Sequence, residues 1–195
     1  MYKRQEQDKF ALNSQEKALK AQKENKFKEE IVNLKIKSKK DVQDFSKDEH
    51  PREGINLETL SKLKPVFKKN GTVTAGNSSG INDGAAAVIL MSSEEAENRN
   101  IEKLVSIKSW ASCGVDPALM GTGPIPSSKK ALELAGWSIK DVDLFEINEA
   151  FAAQSIAVIK TLAIPDEKVN VNGGAIALGH PIGASGSRIL VTLIH

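Results

Sequence analysis

The sequence holds one cysteine, Cys113, in 195 residues. A single thiol excludes an internal disulfide framework and any multi-cysteine zinc site. Histidine is also scarce: His50, His180 and His195 are scattered without metal-ligand spacing, which predicts no catalytic metal. No run approaches the roughly 18 apolar residues needed to span a bilayer. The net charge is only +2, without the basic excess typical of a nucleic-acid binder. Met1, Tyr2, Lys3 and Arg4 lead into charge rather than an apolar segment, so a secretory signal is not expected. These absences point to a reducing interior compartment. Internal repeats and low-complexity tracts are missing as well.

What remains is a balanced globular composition, 40% hydrophobic and 27% charged. Charge is uneven along it: residues 1–70 sum to +6 and residues 71–195 to −4. The basic part reads as a solvated face or as a surface for an anionic ligand. Phe10, Ala11, Ser14, Ala18 and Ala21 recur at three- and four-residue steps and predict a helix over 4–24. Residues 31–37 alternate as a short strand. Residues 38–56, charged and containing Pro51 and Gly54, read as a long loop. The apolar run over 85–91 predicts a strand buried on both faces. Ser92 or Ser93 caps a short helix over 94–99. Strands are expected over 104–112 and 142–147. A turn is expected over 121–126, and helices over 127–135, 150–162 and 183–194. Alternating strands and helices imply a layered α/β architecture.

Three segments are hard to explain by packing alone. Asn77-Ser78-Ser79-Gly80-Ile81-Asn82-Asp83-Gly84 sets two glycines among side-chain donors, so it is either an exposed turn or a place of close ligand approach. Its glycosylation sequon is read as accidental. Asn148 and Glu149 stand where a predicted strand gives way to a helix, the end at which α/β sheets bind ligands. Equally, Asn148 could cap that helix and Glu149 complement its dipole. In residues 172–186, five glycines and Pro181 surround His180 just before a helix. A histidine there suits a general base or an oxyanion donor. The glycine spacing does not fit a dinucleotide fingerprint. Cys113 has no basic neighbour in sequence and reads better as a small strand-end residue than as a nucleophile.

Together these segments resemble the thiolase family, most closely its acetoacetyl-CoA-forming branch. Asn148-Glu149-Ala150-Phe151 is similar to that family's Asn-Glu-Ala-Phe element. The stretch from Gly173 through His180 to Gly186 is similar to its active-site histidine loop. Residues 71–91 and Met120-Gly121-Thr122-Gly123-Pro124-Ile125-Pro126 match in order and spacing. The resemblance runs through nearly the whole chain and implies a thiolase fold, layered α/β with mixed sheets, incomplete at both ends. It implies a division into 1–93, the end of the N-terminal half, and 101–195, a truncated C-terminal domain.

The resemblance also implies Claisen condensation of two acetyl-CoA molecules to acetoacetyl-CoA, and the reverse thiolysis. Such chemistry needs an activated thiolate and a stabilised thioester enolate. By resemblance, His180 activates a cysteine and donates to the thioester oxygen, and Asn148 holds a water that completes the oxyanion hole. Ser79 corresponds to a serine that contacts the pantetheine arm. Arg52, Leu63, Phe67, Ala75, Met120, Ala150 and Phe151 fall where the family lines its CoA groove. Arg52 suits a nucleotide with several phosphates. Coenzyme A enters as substrate and product, with no tightly bound cofactor. The expected partners are acetyl-CoA, acetoacetyl-CoA and CoA, with no nucleic acid and no membrane. A dimer or tetramer is expected at full length.

The departures bear on activity. The family's nucleophilic cysteine has no counterpart here, and its acid/base cysteine lies beyond the position of His195. Cys113 matches neither. The expectation is a fragment or a truncated form, inactive alone. The alternatives are a non-catalytic CoA or acyl-CoA binding module and a chain that pairs with full-length subunits. A ketoacyl-synthase type of condensing enzyme is a further rival, disfavoured by the single histidine loop after the Asn-Glu-Ala-Phe element. Likeness to the cytosolic branch points to the cytoplasm, with the mitochondrion as alternative.

Overall fold

The computed structural model describes residues 2–37 and 41–195. Helix α1 (Arg4–Lys23) opens with Glu6 Oε2 accepting the Lys3 N–H at 3.1 Å. Its inward face carries Ala11, Ser14, Ala18 and Ala21, all buried. Small side chains there let α1 lie close against α5 (Ala152–Leu162) and the short α6 (Ala175–Leu178). Polar residues on the same face find partners, except that Gln7 Oε1 has none among the described residues. Gln7 Nε2 donates to Thr72 Oγ1, and Asp8 accepts from Arg4 and from Asn77 Nδ2. Gln15 Nε2 donates to Ile176 O. Burying such groups is tolerated because each gains a partner in exchange for water.

The core is built on α5. Val158, Ile159 and Leu162 pack with Ile164 and Val169, flanked by Phe10, Ile125, Phe145 and Ile147. A second cluster joins Ala11, Ala152 and Ile176. Around it stand α2 (Leu57–Ser61), α3 (Ser93–Asn98), a 3-10 turn (Pro117–Thr122), α4 (Pro124–Ala135) and α7 (Ser185–Ile194). Ser92 caps α3 by accepting the Glu95 N–H, as its position before two glutamates predicts. Helix α4 stops at left-handed Gly136, also as predicted, but begins three residues earlier, at Pro124.

Among the strands, the 31–37 reading holds in part and the others depart from expectation. The long-loop reading of 38–56 is corrected by β2 (Val42–Phe45), which pairs antiparallel with β1 (Leu34–Lys37), Leu34 opposite Phe45. Both strands are exposed along their length, so no burial alternation marked β2 in the sequence. The linking residues 38–40 lie outside the described residues. Segments 85–91 and 104–112 form no ladder among the described residues, and 142–147 makes only the single parallel bridge Phe145–Val169. The reading of 85–91 as doubly buried is likewise overturned: Ile89 is 89% exposed. A strand exists only through its neighbour, and the described part of this chain supplies none for these apolar runs.

Candidate active site

Three separate segments converge where α5 begins. Residues 77–79 lie antiparallel to 150–152: Ser79 N donates to Ala150 O at 3.1 Å and Ala152 N to Asn77 O at 2.9 Å. Ser79 Oγ donates to the same Ala150 carbonyl. Just before this contact, Asn148 points its amide at His180, with Nδ2 3.3 Å from the ring Nε2. Asn148 Oδ1 is buried and has no partner among the described residues. From the other side, Asn82 Oδ1 accepts the His180 backbone N–H at 3.2 Å. The preceding Gly179 has φ +98°, and a Cβ there would run into the Asn82 side chain. Glycine is therefore required for the loop to turn against Asn82.

The His180 ring is bonded at both nitrogens, since Nδ1 lies 2.6 Å from Ser185 Oγ. Burial, reinforced by the nearby Arg188 charge, holds the imidazole below its ordinary pKa and favours the neutral ring. A neutral imidazole is the form that can accept a proton. A concavity of about 420 Å³ opens beside the loop, bounded by residues 82–86 and 181–184.

Glu149 faces away from the site. It is 2% exposed and accepts from Ser14 Oγ, Asn170 Nδ2 and the Ile176 N–H. Burial raises its pKa, against the pull of those hydrogen bonds. Its function is to tie α1, residue 170 and α6 behind the histidine loop, so the helix-dipole reading gives way to a buried bracket.

Most of the predicted groove residues gather nearby. Phe67 and Phe151 meet edge to face, centroids 5.8 Å apart. Leu63 and Leu60 crowd Gly76, next to Ala75. Met120, 70% exposed, ends on a turn that packs on α5, with Gly121 against the Gln154 side chain. Arg52 is held by its backbone, whose N–H donates to Gln15 Oε1 at 2.9 Å, and its guanidinium is exposed. Cys113 is a half-buried free thiol, whereas the His180 nitrogens face Asn148 and Ser185.

Sequence reasoning missed Asn82, Ser185 and His50. Asn82 lay inside a segment already singled out, and its spacing from Ser79 was the available signal. His50 Nδ1 sits 2.7 Å from Ala177 O, binding the charged loop to the histidine loop, and nothing in its local sequence shows this.

Comparison with known proteins bears on this geometry. Residues 1–94 match the family model described as thiolase, N-terminal domain, and residues 101–195 that of thiolase, C-terminal domain. The chain belongs to the thiolase family. It is 58% identical over 191 residues to an acetyl-CoA acetyltransferase of Rhizobium meliloti, covering 98% of this chain and 49% of that protein. It is 56% identical over 194 residues to the cytosolic acetyl-CoA acetyltransferase of Rattus norvegicus, with the same coverage. Among solved structures, the Bacillus anthracis acetyl-CoA acetyltransferase superposes with a TM-score of 0.97 at 52% identity, over 100% of this chain and 49% of the other. Human mitochondrial 3-ketoacyl-CoA thiolase in complex with CoA gives 0.91 at 46% identity, over 100% and 48%. The chain thus spans about half the length of the relatives it matches, and its α/β arrangement is that of the thiolase fold. No helix among the described residues is long and apolar enough to cross a membrane.

Proposed function

We propose that this thiolase chain supplies the histidine and asparagine of an acetyl-CoA acetyltransferase site, acting in condensation of two acetyl-CoA molecules and in thiolysis of acetoacetyl-CoA. The observation that carries this is the Asn148–His180 pair, 3.3 Å apart beside a concavity. His180 Nε2 takes the proton of a cysteine thiol presented to it. The thiolate attacks acetyl-CoA, CoA leaves as its thiol with a proton from the family's acid/base cysteine, and an acetyl-enzyme forms. That second cysteine, now a thiolate, takes the α-proton of another acetyl-CoA, whose carbanion attacks the acetyl group; acetoacetyl-CoA leaves, and His180 returns its proton to the released nucleophilic cysteine. The protonated Nε2 and a water on Asn148 Oδ1 stabilise the enolate oxygen. The buried, unpartnered Oδ1 fits a water-holding role.

The CoA arm lies across Ser79, Ala75, Leu63, Phe67, Ala150, Phe151 and Met120, with Arg52 toward the phosphates. We divide the chain into 1–93 and 101–195, as two halves of this site. The cytoplasm is the proposed compartment, on likeness to the rat cytosolic relative, and the intact enzyme is proposed to be an oligomer.

Cys113 matches neither cysteine of the family, so the 195-residue chain alone is expected to give no turnover. An acetoacetyl-CoA cleavage assay on the purified chain tests this, and CoA-dependent cleavage above a no-enzyme control overturns it. A non-catalytic CoA-binding module is the second reading, favoured by the presence of the groove-matching residues without either family cysteine. Calorimetry with CoA decides between binding and none.

A further inference from the structure

Ser185, the first residue of α7, is buried, and its Oγ stands 2.6 Å from His180 Nδ1 and 3.1 Å from Pro181 O. A hydroxyl has one hydrogen to give. Two networks close this set. In one, Ser185 donates to Pro181 O and accepts Nδ1–H, so Nε2 is a bare lone pair that accepts from Asn148 Nδ2. In the other, Ser185 donates to Nδ1, Nε2 carries the hydrogen, and the Asn148 amide is turned over to accept it. The first satisfies all three contacts as they stand, whereas the second gives up the Ser185–Pro181 bond and needs the Asn148 amide turned over. The first network is therefore favoured.

We infer that Ser185 is a positioning residue that holds His180 as the Nδ1–H tautomer, making Nε2, on the Asn148 side, the proton-accepting atom. The use of that atom rests on the acyl-transfer reading; the tautomer does not. Because burial and the nearby Arg188 charge favour the neutral ring, a tautomer and not a cation is what Ser185 selects. The device is local: five residues separate the two side chains, and Pro181 sets the turn that brings α7 back onto the ring.

Nitrogen-15 spectroscopy of the histidine rings in the 195-residue chain, at a pH of about 8, tests this, with His180→Asn assigning the resonance. The expected native signal is a protonated Nδ1 and a bare Nε2, favoured about fivefold or more, the worth of one hydrogen bond. Ser185→Ala is expected to lose that bias and move toward Nε2–H, the form free imidazole prefers. Ser185→Thr, which keeps the hydroxyl, is expected to hold it. Ser185→Cys, near in size but a weak acceptor, gives the same reading as alanine should the alanine chain unfold. A native Nε2–H ring, or a ratio unmoved by both Ala and Cys, overturns the inference. Absent CoA binding would sink the acyl-transfer reading and leave this result standing.

Discussion

Ser14 and Glu149, 135 positions apart in sequence, meet at 2.6 Å in the buried space between α1 and α6. The contact joins the first helix to the element that carries Asn148. Glu149 accepts three hydrogen bonds there, so its removal strands Ser14, Asn170 and the Ile176 N–H together. Glu149→Ala is expected to cost about 3 kcal/mol or more in urea unfolding. A loss under about 1 kcal/mol would show that the bracket carries no weight.

Gly174 lies under the same carboxyl, and a Cβ there would overlap it. Gly174→Ala is expected to destabilise by about 1–3 kcal/mol through overpacking. Pairing it with Glu149→Ala relieves the clash, so the double variant should lose less than the two single losses combined. Denaturation midpoints of the four chains measure this coupling.

Glu146 precedes this element, and burial, with repulsion from Glu149 and Glu30, pushes its carboxyl from 4.5 up to about 7 against the attraction of Arg188. The folded chain therefore holds a proton that the unfolded chain releases. Its stabilising contribution is complete below about pH 4.5 and is lost as pH rises through about 7. A displacement of that size is worth about 3 kcal/mol. Glu146→Gln is expected to gain stability relative to the parent between about pH 5 and pH 8. A difference that stays flat across that range would refute the assignment.

Phe67 is 73% exposed yet meets Phe151 edge to face. Phe67→Ala is expected to weaken CoA binding by about five- to tenfold with little change in stability, as loss of an aromatic anchor does. Cys113→Ser is expected to leave binding unchanged. Calorimetric titration with CoA reads both.

Ile81, Ile89, Leu104 and Trp110 are open apolar surface. Together they form an association hazard. Ile89→Lys combined with Trp110→Lys is expected to reduce self-association in light scattering and to leave the unfolding midpoint within about 0.5 kcal/mol. Unchanged scattering would locate the sticky surface elsewhere.

Helices were legible where their signals are local. The period of α1, the serine cap of α3 and the glycine stop of α4 act within a few residues, and the structure follows each. The histidine loop was legible for the same reason, because glycine density and Pro181 are local constraints. Of the strands, 31–37 was legible and holds as β1, whereas 85–91 and 104–112 have the right side chains but no neighbour among the described residues to complete a ladder. β2 was missed because an exposed hairpin strand needs no apolar alternation.

The sequence by itself determined α1, α3, α4, α5 and α7, the family and the residue types of the site: an asparagine before a helix and a histidine in a glycine-rich loop. Only the tertiary structure decided that Asn148 faces His180 while Glu149 turns inward. It also decided that Asn82 and Ser185 hold the histidine. The reason is physical: capping and periodicity act between near neighbours. The direction of a polar side chain is decided by which buried partner can satisfy it, and here those partners lie up to 135 residues away.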